Sequence, residues 1–255
     1  MDLNQNVNEN VDTGTLRIHL TNESNGTPVQ GAKISISYTG NPSQTIEEVS
    51  ADDSGNSEEL TLNAPPLEYS MEPSEEQPYA EYTIRVQAPG YRDITVSAIN
   101  VLPGETAIQN VRMEAEDAPG DRIDMVVIAA HTLYAEYPPK IPEDEIKPMN
   151  ESGEIVLSRV VIPEYIVVHD GAPGDTTASD YYIRYRDYIK NVASSEIYAT
   201  WPDAAIRANV LAIMSFTLNR VYTEWYRGKG YNFTITSSTA YDHLSLIHIS
   251  EPTRL

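Results

Sequence analysis

The sequence predicts two domains of mixed β and α/β class, an N-terminal antiparallel β-sandwich followed by an α+β domain. Three observations predict it. Between Thr15 and Met113 apolar residues recur at every second position, separated by turn-forming clusters and with no helical stretch. Glu114–Asp121 (EAEDAPGD) is acidic and carries Pro-Gly, the composition of a boundary. From Tyr185 onward the apolar period becomes that of a helix. The expected divisions are a disordered tail at 1–14, a sandwich at 15–115, a second domain at 116–243 and a terminal segment, 244–255, that does not read as native sequence.

Bulk composition sets limits first. A chain of 255 residues suits one large domain or two ordinary ones, and 40% hydrophobic content is enough for their cores. Asp+Glu 38 against Lys+Arg 17 gives a formal net charge of −21. Such a chain is repelled by nucleic acid and by anionic membrane surfaces, which excludes both as expected partners. There is no cysteine, and therefore no disulfide, zinc–thiolate site or thiol nucleophile. No apolar run reaches the roughly 18 residues of a membrane span. The opening MDLNQNVNENVDTG lacks the basic and apolar regions of a signal peptide, and its Asn and Asp content is that of a disordered tail.

The sandwich is read strand by strand. Leu16, Ile18 and Leu20 share one face, as do Ile34 with Ile36 and Leu60 with Leu62. Tyr82, Ile84 and Val86 follow, then Ile94 with Val96 and Val111 with Met113. Asn25-Gly26, Asp53-Ser54-Gly55, Pro89-Gly90 and Pro103-Gly104 supply the turns between them. Pro65–Pro78 contains too many prolines for a central strand and reads as a long edge loop. Tyr38, Tyr69, Tyr79, Tyr82 and Tyr91 invite two readings: a carbohydrate-binding face, or half-buried packing residues with wet hydroxyls, the commoner role of strand tyrosines.

In the second domain Ile123–Ala130 (IDMVVIAA) reads as a short buried β run, and Pro138–Met149 as a proline-rich surface loop. Ile155–Asp170 gives two strand-like runs split by Pro163, followed by a flexible loop at Gly171–Asp180. His131 and His169 stand near acidic residues but show no metal-ligand spacing, and a lone His at a strand end is ordinarily a hydrogen-bonded structural residue. No metal and no cofactor is expected.

Tyr185, Tyr188, Ile189, Val192 and Ala193 form the apolar stripe of a helix from Tyr185 to Glu196. After the turn Tyr198-Ala199-Thr200-Trp201, Pro202 suits the first turn of a second helix, and Asp203 favours its positive end. Two apolar stripes on this helix, ending at Gly228 and Gly230, predict central burial over about 25 residues, nearly 40 Å. Arg207 and Arg220 are unusual in such a helix; they pair with carboxylates or reach a ligand.

Glu196 is the candidate for chemistry. A glutamate on an amphipathic helix ordinarily sits in solvent. Here Ser194 and Ser195 precede it and Ile197, Tyr198 and Trp201 follow it, which predicts partial desolvation and aromatic faces for sugar stacking.

The residues also carry resemblances. Thr27-Pro28-Val29-Gln30-Gly31-Ala32, Ala51-Asp52-Asp53-Ser54-Gly55 and Ala88-Pro89-Gly90-Tyr91, in that order, resemble the transthyretin-like, carboxypeptidase-regulatory-like sandwich family, mostly structural or positioning modules. Asp187 through Ile197, with Val192-Ala193-Ser194-Ser195-Glu196 at its centre, then Trp201-Pro202, Ala205–Asn209 and Ala212–Ser215, resemble the core signature of the stage II sporulation protein D family. Together the two halves are similar to spore cortex-lytic enzymes. The resemblance implies a lytic transglycosylase of peptidoglycan, placed outside the cytoplasm in spore cortex or cell wall, a location the lack of cysteine also fits. Its catalytic glutamate falls on Glu196, with Tyr198 and Trp201 expected at the substrate. Ser238-Thr239-Ala240-Tyr241-Asp242-His243 matches the family's downstream Asp-Thr-Thr-His-Ser-Gln type only loosely, so Ser238, Thr239 and Tyr241 enter as expected substrate contacts alone. The implied partners are peptidoglycan glycan strands, and an activating protease if the protein is made as a proenzyme. The resemblance leaves two other roles open: a non-catalytic activator of an amidase, and a glycan-binding module.

The implied mechanism uses one carboxyl twice, as acid to the glycosidic oxygen and then as base to the muramyl 6-hydroxyl, closing a 1,6-anhydro ring. Asp187 and Asp203, the nearest further carboxylates in sequence, read as helix-surface residues. Leu244–Arg254 (LSLIHISEPTR) is identical to the frame translation of a transposon-derived sequencing-library adaptor. The second domain is therefore expected to be truncated after His243, a residue bordering that junction, and His248 is not read as a ligand.

Overall fold

β1 (Asp12–Asn22) shows how alternation becomes structure. Its Leu16, Ile18 and Leu20 are wholly buried while the residues between them are half-buried or exposed. In the computed structural model, which describes residues 11–72, 75–119, 124–141 and 161–243, β1 is followed by β2 (Lys33–Tyr38), β3 (Thr45–Ser50), β4 (Leu60–Ala64) and a one-turn helix α1 (Glu68–Met71). Then come β5 (Ala80–Gln87), β6 (Ile94–Val101), β7 (Thr106–Met113) and β8 (Met125–Val127). Residues 1–10, 142–160 and 244–255 lie outside the described residues, and with them most of the expected tail, most of the Pro138–Met149 loop, the run before Val161 and the adaptor-like segment.

These strands make two sheets, ordered β4-β1-β7 and β3-β2-β5-β6-β8. The β-rich reading holds, with a correction to its antiparallel character. β1 runs parallel to β7, from Thr15↔Thr106 to Asn22↔Met113, and β6 runs parallel to β8. The turn at Pro103-Gly104 carries the chain from one sheet into the other, so β7 arrives beside β1 in the same direction. Each buried branched or aromatic side chain in these sheets, such as Ile34, Ile84 or Tyr82, contributes about 1.5–3 kcal/mol by leaving water.

Four further corrections concern the same region. Asp12, Thr13 and Gly14 belong to β1, paired with Ala64, Asn63 and Leu62, and not to a tail. β3 was unforeseen because its residues are exposed save Val49. The Pro65–Pro78 stretch contains the turn of α1. The Ile123–Ala130 run is not buried through its length: Met125 and Val127 are 58% and 57% exposed, because β8 covers the outer edge of β6. The tyrosines do not form one face. Tyr79 and Tyr82 are buried, the Tyr38 ring lies tilted against that of Tyr82, and Tyr91 receives a hydrogen bond from Asn22.

Gly55 closes the Asp52–Asn56 turn at φ +75°, with its α-carbon pressed toward the Leu20 carbonyl. A methyl added there would lie 2.4 Å from that oxygen. Gly55→Ala is expected to lose about 1–3 kcal/mol of stability, combining a left-handed backbone with a forced shift of β1. Urea unfolding checks this; an unchanged midpoint would contradict it.

The described residues divide into two units. One holds the residues up to Tyr134 together with Ile197–Asp203; the other holds Ala135–Glu196 and the residues from Ala204 on. The division thus falls later than the expected 115/116, and the turn after Glu196 counts with the first unit.

In the second unit β9 (Tyr165–His169) is central, flanked by antiparallel β10 (Asp180–Arg184) and parallel β11 (Ile235–Thr236). β10 begins where the loop was expected to end and leads directly into α2 (Tyr185–Glu196). Ile166, Val168 and Ile235 form a core with Tyr185, Tyr188, Ile189, Val192 and Ala193 of α2 and Ile213 of α3 (Asp203–Tyr222). α3 is shorter than expected and is not centrally buried: only Ile213, Thr217 and Arg220 are, and Leu211 is 62% exposed. Both of its apolar stripes nevertheless touch the core: Val210 on one and Met214, Leu218 and Val221 on the other pack against it half-buried. A three-residue 3₁₀ turn, Arg227–Lys229, follows it. No helix among the described residues is long and apolar enough to cross a membrane.

Candidate functional site

Glu196 is the last residue of α2, and the buried stripe below it fixes where the helix ends. Its side chain is 23% exposed, so the expected partial desolvation is present. Oε1 lies 2.5 Å from Nδ1 of His243. The His243 ring stands edge-on to Phe216 of α3, with centroids 4.6 Å apart. Its Nε2 is buried and has no hydrogen-bond partner among the described residues.

Beneath this pair lies Tyr188, wholly buried about two turns before Glu196 on α2. Burial pushes its phenol well above the ordinary tyrosine range, with the charges of Asp242 and Glu196 adding to the effect. That phenol stays protonated and adds no charge to the site.

Asp242 holds His243 in place. It is wholly buried, and a buried carboxylate requires compensation by donors. It has four: Nε of Arg220 at 2.8 Å, the Tyr226 hydroxyl at 2.7 Å, and the Thr236 amide and hydroxyl at 2.9 and 2.8 Å. The Lys140 ammonium donates to the Asp242 carbonyl. Arg220 in turn lies over the rings of Phe216, Trp225 and Tyr226, at 4.7, 4.4 and 5.6 Å. The expectation that Arg220 pairs with a carboxylate or reaches a ligand resolves to the first. Arg207 is exposed on α3.

Ser238, Thr239 and Tyr241 are half-buried and shape the turn that delivers Asp242 and His243. The Ser238 carbonyl accepts from the amides of Tyr241 and Asp242. The structure therefore brings Glu196 together with the Ser238–His243 segment, through His243. Sequence reasoning missed His243 and Asp242 as partners, although an arginine within an apolar helix called for a buried carboxylate somewhere.

Tyr198 and Trp201 are placed in the first unit. Tyr198 is 5% exposed and packs with Tyr79 and Leu102, its ring 4.3 Å from that of His131. So little exposure leaves no face for a sugar, which corrects its expected substrate contact to a packing role. Trp201 is half-buried against the same cluster, and its indole N–H donates to the Ser70 carbonyl at 2.7 Å.

His169 is buried, 2.7 Å from Asp180 and 3.1 Å from the Ala172 carbonyl, with its ring stacked on Phe233. His131 receives the Leu133 amide at Nδ1. Among the described residues no three acidic or histidine side chains converge as a metal site would need. Asp187 is exposed and paired with Arg186, and Asp203 is exposed at the start of α3. A groove of about 360 Å³ lined by Ile162, Pro163, Glu164, Arg184, Tyr185 and Arg186 includes none of the site residues expected from sequence.

No protein-family model matches the chain, and no curated protein does. Solved structures with partial likeness include the Bacillus anthracis TIE protein, 24% identical over 41% of this chain and 17% of that one, TM-score 0.28. The minor pilin GBS52 of Streptococcus agalactiae is 13% identical over 44% and 49%, TM-score 0.30. A 5-hydroxyisourate hydrolase of Klebsiella pneumoniae is 18% identical over 40% and 87%, TM-score 0.26. The chain spans less than two thirds of the first two of these.

Proposed function

We propose that the chain is a peptidoglycan lytic transglycosylase that cleaves the bond between N-acetylmuramic acid and N-acetylglucosamine, acting in spore cortex or cell wall. In this reading the first unit is a transthyretin-like positioning module and the second an α+β catalytic domain of the stage II sporulation protein D type. The observation that supports it is the Glu196 carboxyl, partly desolvated at the end of α2, with one oxygen engaged by His243 and the other left for a substrate.

The chemistry needs only that group. Glu196, protonated, gives its proton to the glycosidic oxygen as the bond to the anomeric carbon breaks. The carboxylate then takes the proton of the muramyl 6-hydroxyl, whose oxygen bonds to the anomeric carbon. Protons balance and no water enters. A hydrolase calls for a second carboxylate set for water or for nucleophilic attack. Asp242 is beside the site but wholly buried with all its donors in place, and Asp187 and Asp203 are exposed elsewhere. Among the described residues Glu196 is the single carboxyl so placed, which favours the intramolecular route.

Mass analysis of muropeptides tests this. The protein is incubated with cortex and with vegetative peptidoglycan. Products ending in 1,6-anhydromuramyl groups are expected. Reducing ends would mean hydrolysis, and uncut glycan with retained binding would mean an activator of another enzyme; either would overturn the proposal.

A further inference from the structure

The Glu196–His243 contact divides the carboxyl into two oxygens with different surroundings. Oε1 is 2.5 Å from Nδ1, and the described residues give the Glu196 carboxyl no other hydrogen bond. The other end of the ring decides the direction of that bond. An N–H at the buried Nε2 would be a donor with no acceptor among the described residues, a costly arrangement. The proton of the neutral ring therefore belongs on Nδ1, where it is donated to Oε1.

A carboxylate oxygen accepts that bond, and so does the carbonyl oxygen of a protonated carboxyl whose proton sits on the other oxygen. The same Nδ1–H to Oε1 bond thus serves both protonation states of Glu196. The ring cannot readily turn away, since Phe216 packs against it and Asp242, the preceding residue, is fixed by Arg220, Tyr226 and Thr236.

We propose that His243 is the positioning residue of the site: it reserves Oε1 as a permanent acceptor and so makes Oε2 the oxygen that gives and takes the reaction's proton. The inference rests on Glu196 being the acid of the proposed transglycosylase. It goes beyond that reading by assigning a role to a residue that borders the adaptor-like segment.

The test compares three variants with the parent on purified peptidoglycan. His243→Leu removes the donor, and kcat is expected to fall about 10–100-fold with KM within about 3-fold, as for an interaction that orients an acid rather than binds substrate. His243→Asn restores an N–H near the same place and is expected to recover most of the loss. Glu196→Gln is the control for the reading beneath. A His243→Leu enzyme at parental kcat, while Glu196→Gln is inactive, would overturn the inference alone. A Glu196→Gln enzyme at parental rate would remove the reading itself.

Should His243→Leu fail to fold, the parent protein carries the test. The Nδ1 proton of His243, assigned in a ¹⁵N-labelled sample, is expected far downfield and is expected to be lost from that position in Glu196→Ala. An unmoved resonance would overturn the proposal.

Discussion

Glu196→Gln is expected to lower cleavage of peptidoglycan by about 10²–10⁴-fold, the usual share of a positioned general acid and base. The amide is nearly isosteric with the carboxyl. Its oxygen can still accept the His243 Nδ1–H, so the end of α2 and the turn at Ser238–His243 should stay as they are. What the variant lacks is a proton to give and a lone pair basic enough to take one back. The loss should therefore appear in kcat, with binding to insoluble glycan retained. Initial rates of soluble muropeptide release, alongside a pull-down with glycan, separate the two. A variant that cuts at the parental rate would remove Glu196 from the chemistry.

The second large effect concerns stability. Asp242→Ala is expected to destabilise the protein by about 3–5 kcal/mol, the cost of leaving a buried charge without its partner. Arg220 is 6% exposed and would keep its charge with only the faces of Phe216, Trp225 and Tyr226 to offset it. The Tyr226 hydroxyl and both donors of Thr236 would lose their acceptor in the same step. The comparison variant removes both charges. Asp242→Leu combined with Arg220→Met should be less damaging than Asp242→Ala, because no buried charge is left unpaired. Chemical denaturation measures both. A loss below about 1 kcal/mol for Asp242→Ala would mean that Arg220 is far better solvated than its burial indicates.

These two residues differ in how far sequence could reveal them. The place of Glu196 at a helix end was legible because α2 obeys local rules: its stripe from Tyr185 to Ala193 predicts a helix whose end falls on Glu196. Most strands of the two sheets were legible for the same reason, since Leu16, Ile18 and Leu20 need no distant information to declare a face. β3 was not, because an exposed edge strand such as Thr45–Ser50 has no apolar alternation to show. The parallel pairing of β1 with β7 was not either, since it is fixed by the order of strands in space. Asp242 was hidden by distance along the chain, Arg220 being 22 residues away. Tyr198 misled for a physical reason. An aromatic beside an acid reads alike whether it faces a sugar or a core, and here its ring lies among Tyr79, Leu102 and Trp201.

The pairing of β1 with β7 has a consequence for how the chain is made. Thr15 and Thr106 stand 91 residues apart in sequence, yet are neighbours in the sheet. On a ribosome, β1 emerges first and can pair with β4 on one side, but its other edge stays open until β7 follows. Native contacts of such long range form slowly, and an unpaired apolar strand is a surface on which nascent chains associate. Synthesis that pauses before Thr106 should therefore leave a species prone to aggregate, and one that resumes past Met113 should rescue it.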